Sequence, residues 1–210
     1  MDVFALVANE RRRLADALDG LGHDEWEAPS LCAGWSVHVV AAHLNIPWEV
    51  SLPGTIIEIV RARSLDRAFD RMARRLADRL DPAACVSGLR AHADSRFTPP
   101  GAGPEAPLSD VLVHGVDMLV PSGRSVEVDP GATAVSLGYL AGGRAKGFVP
   151  RRLTDGLTVE ATDVDVRVGT GGQVVRGPGL ALCSVLCGRT ALLGQLSGPG
   201  LDVLAGRLAG

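Results

Sequence analysis

The amino-acid sequence predicts a mostly α-helical protein that ends in a small α/β appendage. Apolar residues recur every three or four positions along most of the chain up to about residue 145, which is the helical period. From Leu157 onward, apolar and polar residues alternate instead, as they do in half-buried strands. We therefore expect a helical domain over residues 1–148 and a small α/β domain over residues 149–210.

Composition limits the classes of function. The 210 residues are 46% hydrophobic and carry a net charge of −3 with both signs interspersed, so the basic surface of a nucleic-acid-binding protein is not expected. The N-terminus lacks a secretory pattern, and no apolar run approaches the roughly 18 residues of a membrane span. We expect a cytoplasmic protein without membrane partners. The four cysteines are too scattered for a disulfide framework, which predicts reduced thiols.

In the first hundred residues, glycine and proline separate the predicted helices. Ser36 has the pattern of a helix N-cap, with Trp35 and Val40 placed as a hydrophobic staple. Asp81 followed by Pro82 is a second helix start. The segment 22–34 is expected to be a structured loop. Helices are predicted over residues 3–20, 37–46, 55–63, 64–80 and 82–94.

The second half begins with a proline- and glycine-rich loop over residues 97–107, followed by a helix that ends near Pro121. A further helix is expected over residues 130–144. Strands are predicted over residues 157–161 and 164–168 and at 174–175, a helix from Pro178 to Gly188, a possible strand over residues 192–196, and a closing helix over residues 201–208.

The helix over residues 108–119 carries ionisable groups on an apolar element. Asp110, His114 and Asp117 stand at positions i, i+4 and i+7, which places them on one stripe of a helix. The residues around them are almost all apolar, which indicates a buried helix. Buried carboxylates and imidazoles are costly unless they are paired or bind a metal, so this stripe needs a partner.

His43 is the candidate partner, because it lies on the apolar side of its own predicted helix. Zinc accepts imidazole nitrogen and carboxylate oxygen, so His43, Asp110 and His114 could hold a divalent ion. The alternative is that Asp110 and His114 simply satisfy each other as a helical pair. Asp117 could orient a ligating imidazole from outside the ligand set, or could pair structurally.

The cysteines have simpler interpretations. Cys183 and Cys187 share a helix face with Leu180, which favours apolar packing, and a thiol redox pair is the weaker alternative. Cys32 precedes a helix N-terminus, where a thiol pKa can fall, but a buried loop thiol is the favoured interpretation.

Several segments together resemble a known family. They are PSLCAGWSV at 29–37, AHL at 42–44, DVLVHGVD at 110–117, RGP at 176–178 and GR at 188–189. In this order they resemble the actinobacterial maleylpyruvate isomerase family, whose members are mycothiol-dependent enzymes related to the DinB-like metal-binding bundles.

The resemblance implies a DinB-like four-helix bundle with a divalent metal, usually zinc, held by His43, Asp110 and His114. It also implies a C-terminal α/β domain that helps to close the site. The characterised isomerases have glutamate where this chain has the shorter Asp110. In the implied reaction the mycothiol thiolate adds to a cis double bond, the adduct rotates, and expulsion of the same thiolate gives the trans product. Arg207 is the implied catalytic cation for an anionic substrate.

Two functional hypotheses follow. The first is a metal-dependent enzyme that uses mycothiol to isomerise, or to transfer the thiol to, a small electrophilic substrate. The second is a non-catalytic metal or small-ligand binding protein of the same fold, which the shortened Asp110 would favour.

Overall fold

The computed structural model describes residues 2–145 and 147–209, and confirms a mostly helical chain with one small sheet. None of the described helices is both long enough and apolar enough to span a bilayer. The helices are α1 (Val3–Asp19), α2 (His23–Glu27), α3 (Val37–Glu49), α4 (Leu52–Ala62), α5 (Leu65–Ala77), α6 (Pro82–Ala91), α7 (Glu105–Leu119), α8 (Pro130–Ala141), α9 (Gly179–Leu186) and α10 (Leu201–Ala209), and the strands are β1 (Leu157–Ala161), β2 (Arg167–Val168) and β3 (Gln173–Gly177).

Two compact units divide the chain. The first comprises residues 1–10, 98–116 and 127–210, and the second comprises residues 11–97 and 117–126. These units are defined by contacts within the folded chain and do not test whether residues 1–148 and 149–210 are separate domains. The boundary expected after residue 148 therefore stays a prediction.

In the second unit, α3 packs against both α5 and α6, and α4 packs against α5. The predicted helix start at Ser36 is confirmed, because its hydroxyl accepts a hydrogen bond from the Val39 amide. Ser64 and Asp81 cap α5 and α6 in the same way. Apolar side chains along these helices form the core of this unit, and they include Val40, Ala41, Met72, Leu76, Val86 and Leu89.

In the first unit, the sheet has the order β2-β1-β3. Strand β1 pairs in parallel with β3, placing Val159 opposite Val175, and antiparallel with β2, placing Val159 opposite Val168. Helix α9 packs against the sheet and against α8. The alternation that predicted β1 thus corresponds to a strand whose apolar residues join the core with Leu182 and Leu186.

Some predicted elements were wrong in extent or type. Helix α3 continues through Pro47 to Glu49 although a proline cannot donate the helical hydrogen bond to the His43 carbonyl. The second strand is only Arg167–Val168, because the Val166 amide donates to the Val164 carbonyl in a tight turn. Residues 193–195 form a 3₁₀ turn with hydrogen bonds three residues back, so the strand expected over 192–196 is absent from this described segment. The expected loop over 22–34 contains helix α2.

Candidate metal centre

Helix α7 is buried, as the sequence predicted. His114 is 9% exposed and Asp117 is fully buried. The neighbouring side chains on the helix are also buried, and they are Leu108, Val111, Leu112, Val113, Val116 and Met118. Because a buried ionisable group must be compensated, the contacts of this stripe decide what the helix can do.

Asp110 and His114 lie next to each other on α7. The His114 Nε2 atom is 3.4 Å from Asp110 Oδ1, and the two side chains are 11% and 33% exposed. This separation is longer than a usual hydrogen bond between nitrogen and oxygen, which is 2.7–3.2 Å. The two side chains therefore stand together on one side of the helix, in the arrangement that the i, i+4 spacing predicted.

His43 lies in the second unit on α3, with aromatic rings on two sides. Its ring centroid is 5.3 Å from that of Trp35, tilted by 49°, and 5.5 Å from that of Phe69, in an edge-on arrangement of 79°. Trp35 precedes the helix and Phe69 belongs to α5. These contacts restrict the rotation of the imidazole ring, because an aromatic neighbour on each side leaves few rotamers.

Polar contacts that the sequence did not predict fix the Trp35 ring. Its Nε1 atom donates to Asp70 Oδ1 at 2.8 Å, and the same oxygen accepts from Arg74 Nε at 2.8 Å. Arg74 also donates through Nη2 to the Gly34 carbonyl at 2.9 Å. The hydrogen bond from Trp35, followed by that from Arg74, lowers the pKa of Asp70. The sequence pattern does not predict the hydrogen bond between Trp35 and Asp70, since the two residues are far apart in the sequence.

This network predicts a pH dependence of stability. The lowered pKa of Asp70 means that its carboxylate stabilises the folded state above its ordinary pKa of 3.8, and that this contribution is lost as the pH falls through the folded value. Asp70→Asn is expected to lower the melting temperature at pH 7 and to flatten its fall below pH 4. An equally steep acid transition in the variant would contradict the assignment. Asp66→Asn, on an exposed residue of the same helix, is the control.

The fully buried Asp117 binds the loop before α3. Its carboxylate Oδ2 atom accepts a hydrogen bond from the Cys32 thiol at 3.1 Å, and its main-chain carbonyl accepts from the Leu31 amide at 3.0 Å. The carbonyl is not needed within the helix, because the residue four positions later is Pro121 and has no amide hydrogen. The sequence left Asp117 either to orient a ligating imidazole or to pair structurally, and it did not predict the bond to Cys32.

Arg207 lies on α10 in the first unit. Its Nη1 atom donates to the main-chain carbonyls of Leu153 at 2.9 Å and Asp155 at 2.8 Å, just before β1. These contacts hold the turn that leads into the sheet. The catalytic role expected for Arg207 stays a prediction.

The other cysteines are packing residues. All four cysteines fall within the described residues and are reduced, and Cys85, Cys183 and Cys187 are buried. Burial raises the pKa of Cys85 to about 12 and raises that of Cys183 further still. The favoured interpretation of Cys183 and Cys187 as packing residues therefore agrees with their surroundings.

A thiol titration checks this. With a chromogenic disulfide reagent at pH 7, we expect the native protein to expose only the half-buried Cys32, and the denatured protein to expose all four thiols. Fast reaction of Cys183 and Cys187 in the native state would restore the redox-pair hypothesis.

The fold and this helix define a mostly helical protein with an imidazole and a carboxylate next to each other on one helix. The model of the mycothiol maleylpyruvate isomerase N-terminal domain family matches residues 7–119, more than half of the sequence, and the chain belongs to this family. No curated protein sequence matches the chain.

Two solved structures are similar over nearly the whole chain. A crystal structure of the mycothiol-dependent maleylpyruvate isomerase has a TM-score of 0.54 and 16% identity, and covers 94% of this chain and 91% of that one. A histidine-to-alanine mutant of that enzyme has a TM-score of 0.50 and 17% identity with the same coverage. At this level of identity the likeness shows a shared fold.

Proposed function

We propose that this chain is a metal-dependent enzyme that uses mycothiol to isomerise a small electrophilic substrate or to transfer the thiol to it. The observation that carries the proposal is the 3.4 Å separation of His114 Nε2 and Asp110 Oδ1. Two ligand atoms at about 2.0–2.1 Å from a tetrahedral zinc ion lie about 3.4 Å apart. The pair therefore suits a shared ion better than a direct hydrogen bond.

The proposed ligands are His43, Asp110 and His114, which offer two imidazole nitrogens and one carboxylate oxygen. This donor set suits zinc, and three protein ligands leave a coordination position for another molecule. A bound divalent ion would lower the pKa of a thiol placed there, so that its thiolate is present at neutral pH. Cys32, His114 and Asp117 are a second donor set, with sulfur in place of an imidazole.

The surrounding residues have distinct proposed roles. Trp35 and Phe69 hold the His43 ring and present apolar surface to it, which limits the access of water. Asp117 orients a ligating imidazole. Arg207 binds an anionic substrate through guanidinium hydrogens other than the two that Nη1 donates to Leu153 and Asp155, since the group has five.

The decisive experiment combines metal analysis with activity. The purified protein is expected to contain about one zinc ion per chain and to isomerise maleylpyruvate, or conjugate a small electrophile, only when mycothiol is present. His43→Gln should lose metal and turnover. His38→Gln, on the same helix but with its ring nitrogen bonded to the Leu80 carbonyl at 2.7 Å, is the matched control and should keep both. Metal-free protein, or turnover that needs no thiol, would refute the proposal.

A non-catalytic metal or small-ligand binding protein is the second candidate. The shorter Asp110 favours it, because a ligand one methylene shorter than the glutamate of the isomerases would alter the open position. On this hypothesis His43→Gln changes ligand binding or stability, and no thiol-dependent turnover is found in either protein. A cytoplasmic location is part of the proposal as well.

A further inference from the structure

We propose that Cys32 is a positioning residue: its thiol holds the Asp117 carboxylate, and through it the His114 imidazole, in the orientation that metal binding requires. This inference rests on the proposed function, and it assigns Cys32 a role other than that of a nucleophile or a metal ligand.

The loop around Cys32 is held by main-chain and side-chain hydrogen bonds. The Cys32 amide donates to Ser30 Oγ at 3.1 Å, and that hydroxyl donates to the Trp35 carbonyl at 2.9 Å. The Trp35 main-chain amide donates a hydrogen bond to the Cys32 carbonyl at 3.0 Å. Gly34 adopts the left-handed conformation, with a φ of 76°. A loop with these constraints presents its thiol in one direction.

Two bonds join this loop to the last turn of α7. One links the Leu31 amide to the Asp117 carbonyl, and the other links the Cys32 thiol to Asp117 Oδ2 at 3.1 Å. Asp117 is fully buried, and a buried carboxylate that loses a hydrogen-bond donor is costly and tends to reorient. The thiol therefore helps to fix which way each carboxylate oxygen points.

The position of His114 connects this carboxylate to the proposed metal site. His114 stands three residues before Asp117 on the same stripe of α7. Its Nε2 atom is 3.4 Å from Asp110 Oδ1, and a ring nitrogen of His114 lies within 4.8 Å of an Asp117 carboxylate oxygen. Imidazoles that bind metals almost always donate their other ring hydrogen to a carboxylate, a carbonyl or water, and this fixes the tautomer and the ring orientation.

A serine hydroxyl is a more usual hydrogen-bond donor to a carboxylate than a thiol, so the presence of cysteine at position 32 requires an explanation. Sulfur lies farther from Cβ than a hydroxyl oxygen does, and it reaches Asp117 from a loop whose backbone is already anchored. A thiol is also a weak donor, which leaves the carboxylate basic enough to accept a proton-bearing nitrogen. A serine at position 32 should therefore hold the Asp117 carboxylate less well than the cysteine does.

The test compares zinc affinity in variants of the full chain by competition with a chelator. Cys32→Ala is expected to weaken zinc binding about tenfold or more, within the 10- to 100-fold loss typical of supporting residues. Cys32→Ser should stay within about threefold of wild type. Cys85→Ala, the same substitution at a buried thiol on α6, should lower the melting temperature with little change in affinity.

Alkylation of the wild-type thiol gives a second readout that does not depend on a variant folding. If the thiol contact strengthens metal binding tenfold, metal binding must strengthen the contact by the same factor. Saturating zinc should therefore slow the alkylation of Cys32 up to about tenfold. An unchanged alkylation rate, or an unchanged zinc affinity of Cys32→Ala, overturns the inference while leaving the proposed function in place.

Cobalt substitution separates positioning from ligation. Without added thiol, the wild-type cobalt protein should lack the sulfur-to-cobalt charge-transfer absorption of a thiolate ligand. A band of this kind that disappears in Cys32→Ala would make Cys32 a ligand and overturn the inference. A wild-type chain that binds no metal would refute the proposed function, and this inference with it.

Discussion

Replacing His114 by alanine is expected to give a folded protein that has lost its metal and its thiol-dependent turnover. Four-ligand zinc sites bind with about 10–16 kcal/mol, or roughly 3 kcal/mol per ligand, so the loss of one ligand should weaken binding about 100-fold. The expected effect is large because His114 is one of the three proposed ligands and is also the imidazole that Asp117 would orient. Chelator competition measures the affinity directly.

Thermal unfolding distinguishes the loss of a ligand from the loss of the fold. A ligand that binds only the folded state raises the melting temperature, so the same zinc concentration should stabilise His114→Ala less than it stabilises the wild type. The melting temperature of metal-free His114→Ala should be compared with that of the metal-free wild type. This comparison measures the packing lost with a side chain that is 9% exposed, separately from the loss of metal. Zinc-dependent stabilisation of His114→Ala equal to that of wild type would remove His114 from the site.

The sequence predicted the helices that carry this site because their signals are local. Ser36 marks the start of α3, and the near-continuous apolar surface of α7 marks a buried helix. The adjacency of Asp110 and His114 follows from the i, i+4 spacing alone. Signals of this kind need only neighbours within a turn or two of the chain.

The supporting contacts could not be predicted because they join distant segments. Cys32 and Asp117 are 85 residues apart, and Trp35 and Asp70 are 35 apart. Nothing in the residue types identifies such partners, since a buried carboxylate accepts from any donor that packing brings near. Pro47 led to the wrong end for helix α3 for another reason. The packing of α3 on α5 and α6 outweighs the loss of the main-chain hydrogen bond that proline cannot donate.

Substitution of Asp110 distinguishes a metal site from a helical ion pair without metal. If Asp110 is a ligand, Asp110→Asn keeps the shape of the side chain but removes its charge, and zinc affinity should fall about 100-fold, as for the loss of a ligand. If Asp110 only pairs with His114, Asp110→Asn should cost about 0.3–0.5 kcal/mol of stability and leave metal binding unchanged. Measuring both quantities on one preparation decides between the two.

Asp110→Glu then tests the length of the side chain. Asp110 Oδ1 already stands 3.4 Å from His114 Nε2, the separation that a shared tetrahedral ion needs, so the backbone of α7 suits the shorter acid. A glutamate keeps the charge and can bend to recover the position at the cost of side-chain entropy, which is about 1–2 kcal/mol. We therefore expect Asp110→Glu to retain zinc within about tenfold of wild type. A loss as large as that of Asp110→Asn would mean that charge alone does not suffice and that this chain's site is built for aspartate.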